Sequence, residues 1–198
     1  MKPIKIAVAG YMGSGKSTCA KFFSDAGAML IDADLEAKVL MESEPKILKE
    51  LKTEFGDSIL ENGEISYQRL GSIVFDSVEP LLKLNSITHP PLLKKLKKLL
   101  SNEDHRLVVL DAALIPLWNI DSWFNFRIWV EASRQIRMDR ILNKRPGFEK
   151  EQLLNRMDIQ ESTFSPPSPQ RWSYISNEDS IELLGQKVFS FLQQINRN

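Results

Sequence analysis

Residues 4–9, Ile-Lys-Ile-Ala-Val-Ala, run directly into Gly-Tyr-Met-Gly-Ser-Gly-Lys-Ser at 10–17, and few local patterns restrict a fold so tightly. Glycines at 10, 13 and 15 let successive backbone N–H groups turn inward without Cβ collisions. The pattern G-x-x-x-x-G-K-[ST] is a P-loop, which needs an apolar strand before it and an amphipathic helix after it. Both are present, the helix spanning roughly Lys16 to Ala26. In that geometry Gly10, Tyr11, Met12, Gly13, Ser14, Gly15, Lys16, Ser17 and Thr18 form the cradle for a nucleoside triphosphate. Lys16 reaches its β- and γ-phosphates, Ser17 ligates Mg²⁺, and the positive end of the helix faces the same anion.

The rest of the chain alternates strand and helix. Apolar runs at 28–31, 106–111, 126–130 and 171–175 read as further strands. Most are continuously apolar, as in parallel strands covered on both faces. Helical patterns fall near 34–55, 66–76, 79–101, 133–144, 149–160 and 179–195. The expected architecture is α/β: a P-loop NTPase fold in three layers around a parallel five-stranded sheet, with ligands at the C-terminal edge of the strands. The interval from 31 to 106 is too long for a simple crossover and reads as a helical insertion. The implied division is a core of about 1–33, 89–132 and 171–198, an acceptor-binding insertion of about 34–88 and a lid of about 133–160.

Charge and cysteine content narrow the function classes. With 26 basic and 26 acidic residues the chain is formally neutral, which makes nucleic acid a poor partner. The single cysteine, Cys19, excludes an internal disulfide framework and suits a small buried role. Neither a signal-peptide pattern nor a run of membrane-spanning length is evident. The expectation is a cytoplasmic protein, with monomer plausible and no membrane partner.

Three clusters carry candidate chemistry. Ile-Asp-Ala-Asp at 31–34 places Asp32 and Asp34 at a sheet edge. Alternation along an extended segment lets them share one face, and either can serve phosphoryl transfer or cap the following helix. The run Leu107 to Leu110 ends in Asp111, a Walker-B-like strand whose carboxylate would help hold Mg²⁺ or contact substrate, or else cap the turn. Downstream, Arg137, Arg140, Arg145 and Arg156 have the spacing of a lid whose guanidinium groups neutralise a transferring phosphoryl group. A solvated helix with weak ion pairs is the plainer alternative.

Together these segments resemble the dephospho-coenzyme A kinase family. The resemblance rests on AGYMGSGKST, AGAMLIDADLEA, ISYQRLGSIVF, LNSITHPPL, VVLDAAL and NRMDIQ, in that order, and extends from Ile4 to about Val188. It implies ATP-dependent phosphorylation of the 3′-hydroxyl of dephospho-coenzyme A, with ATP as donor and Mg²⁺ as metal. Asp34 then matches the catalytic base, with Lys16 and Arg140 completing the catalytic set. Asn177 matches a residue near the nucleotide base. Asp34, Arg69, His89, Asp111 and Leu114 fall at acceptor-binding positions, and Ser17 and Asp111 at the metal. His89, before Pro90, either contacts substrate or ends a helix and bonds internally. Arg69 is alternatively an internal ion-pair partner. The chain departs from the family pattern at Tyr11, at Ala112 and Ala113 after Asp111, and at residues 161–172. Two other readings stay open: another small-molecule P-loop kinase, for a nucleoside monophosphate or a sugar acid, and a non-catalytic nucleotide switch.

Overall fold

The computed structural model describes residues 2–195. Strands β1 (Ile4–Ala9), β2 (Met29–Asp32), β5 (Leu107–Asp111), β6 (Phe126–Glu131) and β7 (Ser173–Ser176) form one parallel sheet in the order β2-β5-β1-β6-β7. β1 is central, so the loop leaving its C-terminal end emerges between β5 and β6.

Period-two alternation divides the core. Ile6, Val8, Val109, Ile128 and Val130 face α1 (Lys16–Asp25) and α9 (Ile181–Ile195), where Cys19, Phe23, Leu184 and Val188 complete one buried cluster. Ala7, Ala9, Val108, Leu110 and Trp129 face the other way, into a cluster shared with α2 (Ala33–Ser43), α3 (Pro45–Phe55), α4 (Tyr67–Val74) and α5 (Val78–Leu99). Each fully buried large side chain contributes about 1.5–3 kcal/mol. The helical insertion therefore shares its core with the sheet. The boundary expected at 88/89 falls inside α5, and residues 1 and 196–198 of the expected core lie outside those described.

The helix expected over 34–55 is two helices. Glu44 is extended (φ −108°, ψ 99°) because it precedes Pro45, which opens α3 at its first turn. Between α3 and α4 lies a hairpin, β3 (Leu60–Glu61) and β4 (Glu64–Ile65), joined by Asn62 and Gly63 at φ 53° and 86°. Asn-Gly supplies the two left-handed residues of a type I′ turn. The prolines at 90 and 91 do not end a helix: α5 runs through both. A proline costs a helix interior roughly 3 kcal/mol. Here burial of Thr88, Leu92 and Leu96 offsets it, and Thr88 Oγ1 donates to the Leu84 carbonyl at 2.9 Å. The four-residue α6 (Ile115–Trp118) follows β5, and α7 (Arg134–Lys144) and α8 (Lys150–Thr163) form an arm with its own small core of Met138, Leu153 and Met157.

Candidate active site

The loop from Gly10 to Gly15 closes over the start of α1. Gly13 and Gly15 adopt φ 78° and 94°, and neither can carry a side chain for a second reason. A Cβ on Gly13 would lie 2.6 Å from the Arg137 carbonyl oxygen, and one on Gly15 would lie 2.2 Å from Asn177 Nδ2. No side chain caps α1, so its first N–H groups remain available to an anion. Tyr11 turns its ring away from the loop, edge-on to Trp129 at 5.1 Å, and its hydroxyl donates to the Phe164 carbonyl at 2.8 Å. Met12 N–H donates to Gln160 Oε1 at 2.8 Å.

A cavity of about 630 Å³ opens over this loop, lined by Tyr11, Met12, Gly13, Gly15, Lys16, Ser17, Thr18, Asp34, Arg140 and Asn177 among others. Gly10 and Ser14 are buried behind it. Asn177 sits at its edge with its amide committed to the loop, Nδ2 donating to the Ser14 carbonyl at 2.7 Å. It braces the phosphate cradle, whereas the family resemblance places it near the base. Cys19 is fully buried on α1 and burial pushes its thiol up to about 12, which leaves it inert.

The three acidic candidates take three different places. Asp32 is the N-cap of α2, its Oδ1 accepting from the backbone N–H of Asp34 at 2.9 Å and Leu35 at 3.1 Å. That cap turns the chain into helix at Ala33, so Asp34 belongs to the first turn of α2 and does not share an extended face with Asp32. Burial raises the Asp34 pKa and the Lys16 ammonium opposes the rise, while Asp32 and Asp111 add to it. Asp111 is 2% exposed and accepts from Lys16 Nζ at 2.9 Å. Burial works against the Lys16 charge, but Asp111 and Asp34 outweigh it and raise the pKa. Lys16 is thus held charged over the loop, 3.4 Å from Ser17 Oγ.

The arginines divide as well. Arg137 is buried against Glu161, with its Nε donating to the Ala132 carbonyl at 3.2 Å and its guanidinium 5.1 Å from the Tyr11 ring. It braces α7 against α8 and the loop. Arg140 faces the cavity with only a 3.5 Å contact to the Asp179 carbonyl, and its Nη1 is buried without a partner. Lys144 and Arg145 line the same cavity.

A second cavity, about 360 Å³, lies between α2, α5, α6 and α8. His89 and Leu114 line it, as do Ala112, Ala113, Trp118, Phe75, Arg156 and Phe164. His89 Nδ1 accepts from Trp118 Nε1 at 3.1 Å, and burial lowers its pKa to about 4, so the ring is neutral with its proton on Nε2. Arg69 is not brought to this cavity. It holds the β3–β4 hairpin, donating to the Leu60 carbonyl at 2.5 Å and to Glu61 at 3.0 Å. Nor does Asp111 line the cavity wall, because its carboxylate sits under Lys16. Trp118 and Phe164 carry no local sequence signal, whereas Phe75 and Gln160 lie within the ISYQRLGSIVF and NRMDIQ segments.

A uncapped P-loop helix at the edge of a parallel sheet, a charged lysine on a buried carboxylate and an arginine-bearing helical arm define a P-loop kinase. Within that class the chain belongs to the dephospho-CoA kinase family, whose model matches residues 4–167. It is similar to dephospho-CoA kinase of Carboxydothermus hydrogenoformans, 33% identical over 198 residues that cover 96% of this chain and 93% of the relative. Among solved structures, one from Thermus thermophilus covers 98% of both chains at 26% identity and TM-score 0.75. The dephospho-CoA kinase of Campylobacter jejuni covers 96% of both at 20% identity and TM-score 0.60, a likeness of fold.

Proposed function

We propose that the chain transfers the γ-phosphoryl group of ATP to the 3′-hydroxyl of dephospho-coenzyme A, giving coenzyme A and ADP. The observation that carries this reading is that Lys16 and Asp34 line both cavities, so the phosphate cradle and the second cavity meet at one ammonium and one carboxylate. A donor bound over the loop and an acceptor bound among α2, α5 and α8 would present their reacting atoms to each other there.

Asp34 accepts a hydrogen bond from the 3′-hydroxyl. As that oxygen bonds to the γ-phosphorus and the bond to the β–γ bridging oxygen breaks, Asp34 takes the proton. A pKa raised by burial suits a base that must hold it. Lys16, fixed by Asp111, offsets charge on the β- and γ-oxygens, and Arg140, which lines the donor cavity with one long contact, would offset charge on the same phosphates. The oxygen donors Ser17 and Asp111 fit Mg²⁺, a hard cation that takes its remaining ligands from phosphates and water. When bound, that ion neutralises phosphate charge and polarises the γ-phosphoryl group. In this reading α2 to the first half of α5 forms the acceptor-binding insertion, and α7 with α8 forms the lid.

The test is an acceptor screen with ATP and Mg²⁺, comparing dephospho-coenzyme A with nucleoside monophosphates and gluconate. Coenzyme A and ADP in equal amounts are expected from the first acceptor alone. Turnover of another acceptor in its place, or ATP consumption by none, overturns the reading.

A further inference from the structure

Among the described residues Arg156 on α8 is a partly desolvated guanidinium without a salt-bridge partner. Arg134, on α7 of the same arm, binds Asp158 at 2.5 Å and Glu161 at 2.7 Å, and Arg137 binds Glu161. Among the described residues Arg156 has no such partner: its pKa is lowered by burial and then by the nearby Arg145, with no carboxylate compensating. Its guanidinium carbon lies 4.5 Å from the ring centroid of Phe75 and 5.0 Å from that of Phe148. Two cation–π contacts hold the guanidinium without using its N–H donors. The clamp is held from the next residue, since Asn155 Nδ2 donates to the carbonyls of Phe75 at 3.1 Å and Asp76 at 3.3 Å.

Position decides what those donors are for. Arg156 lines the second cavity and not the donor cavity, whose cationic walls are Lys16, Arg140, Lys144 and Arg145. In the second cavity Lys16 and Asp34 mark the reacting end, and the remaining wall is largely apolar, including Met41, Leu81 and Leu84. A half-buried cation in such a wall is costly unless an anion completes it. Given the acceptor proposed above, on which this step rests, only one part of that molecule is anionic: the 5′-diphosphate between the ribose and the pantetheine arm. We propose that Arg156, held against Phe75 and Phe148, binds the 5′-diphosphate of the acceptor and so selects acceptors that carry one.

The experiment measures equilibrium binding of dephospho-coenzyme A, adenosine and ATP by calorimetry, without turnover, to the wild type and to Arg156→Met, which keeps an apolar stem against the rings. A charge-assisted hydrogen bond is worth enough to predict a loss of about ten- to a hundredfold in dephospho-coenzyme A affinity. Adenosine and ATP affinities are expected to stay within about twofold. An unchanged dephospho-coenzyme A affinity, or an equal loss for adenosine, overturns the proposal. A measurement on the wild type alone guards against a variant that folds poorly: dephospho-coenzyme A should bind more tightly than adenosine, with an advantage that shrinks as salt rises. Equal affinities, or a salt-independent advantage, also overturn it. Because binding is read without catalysis, a failed acceptor screen and a failed diphosphate contact give separate results.

Discussion

The two cavities that meet at Lys16 and Asp34 are built in different ways. The donor cavity is mostly one short segment: residues 11–18 supply its floor through backbone N–H groups, left-handed glycines and a helix end, and the arm adds cations. The acceptor cavity is assembled mainly from side chains on four helices, α2, α5, α6 and α8, and the turn after β5, with members spread from residue 12 to residue 164. A backbone site tolerates little change in geometry but survives many changes of side chain. The acceptor site depends on tertiary packing, so its shape is set by how four elements lean on one another. The difference predicts that donor-side substitutions act on the chemical step and acceptor-side substitutions on affinity and stability.

The junction itself gives the largest expected effect. Asp34→Asn keeps the shape but cannot take the proton, and general-base removal lowers kcat by about 10²–10⁴-fold. Steady-state kinetics with dephospho-coenzyme A should find the loss in kcat and little change in ATP affinity. Its neighbour should separate from it: Asp32→Ala removes a helix cap at a cost of about 1 kcal/mol in unfolding free energy, read from urea denaturation. An inactive Asp32→Ala beside a nearly normal Asp34→Asn would reverse the two roles.

On the donor side, Lys16→Ala removes a preorganised cation and should cost roughly 10²–10³-fold in kcat. It also leaves Asp111 buried without its partner, so the variant should melt at a lower temperature than wild type by calorimetry. Arg140→Ala should fall next. Its orphaned Nη1 and its one long contact to Asp179 mean that little folding energy depends on it. The expected result is a decrease of about tenfold or more in kcat, a smaller change in ATP dissociation constant and an unchanged melting temperature. A melting temperature that falls with kcat unchanged would make Arg140 a structural residue.

The same contrast explains what was legible in the sequence. The P-loop, its flanking strand and helix, and the apolar runs of all five sheet strands are local patterns, and each element lies within a few residues of where periodicity puts it. Two features had local signals that the broad helical pattern obscured: Glu44 before Pro45, which splits α2 from α3, and Asn62-Gly63, which makes a hairpin. The helix expected over 79–101 does run through Pro90 and Pro91, because burial of the surrounding helix outweighs their local penalty; only the alternative in which His89 ends a helix fails. The acceptor wall is legible only in part: Asp34, His89 and Leu114 are expected there, whereas Trp118 and Phe164 have no local signal. Nothing near Trp118 announces that its indole will meet His89, 29 residues away, while Arg69 takes its alternative reading as an internal ion-pair partner, bound to Glu61 of the hairpin. Charge spacing alone could not sort the arginines either, since their partners on α8 decide which are neutralised and which are free.

The smallest expected effect tests whether the acceptor wall carries its own pH dependence. His89 is held neutral by burial, its Nδ1 accepting from Trp118 and its pKa lowered from 6.5 to about 4. In the unfolded chain the same imidazole takes up a proton as the pH falls through its ordinary value, while in the folded chain it resists until about pH 4. Between those limits the unfolded state binds more protons, so the His89 contribution to stability is complete above pH 6.5 and is lost progressively as the pH falls toward about 4. Because the ring is only half-buried, solvent screening reduces the swing to about 1–2 kcal/mol. His89→Gln offers an amide oxygen to Trp118 and does not titrate. Urea unfolding at pH 7.5 and pH 4.5 should therefore find that the wild type loses more stability between the two than the variant, by about that amount. Equal losses would mean that the His89 ring protonates in the folded protein as readily as in the unfolded chain, and that the wall between α5 and α6 is open to water at the Trp118 contact.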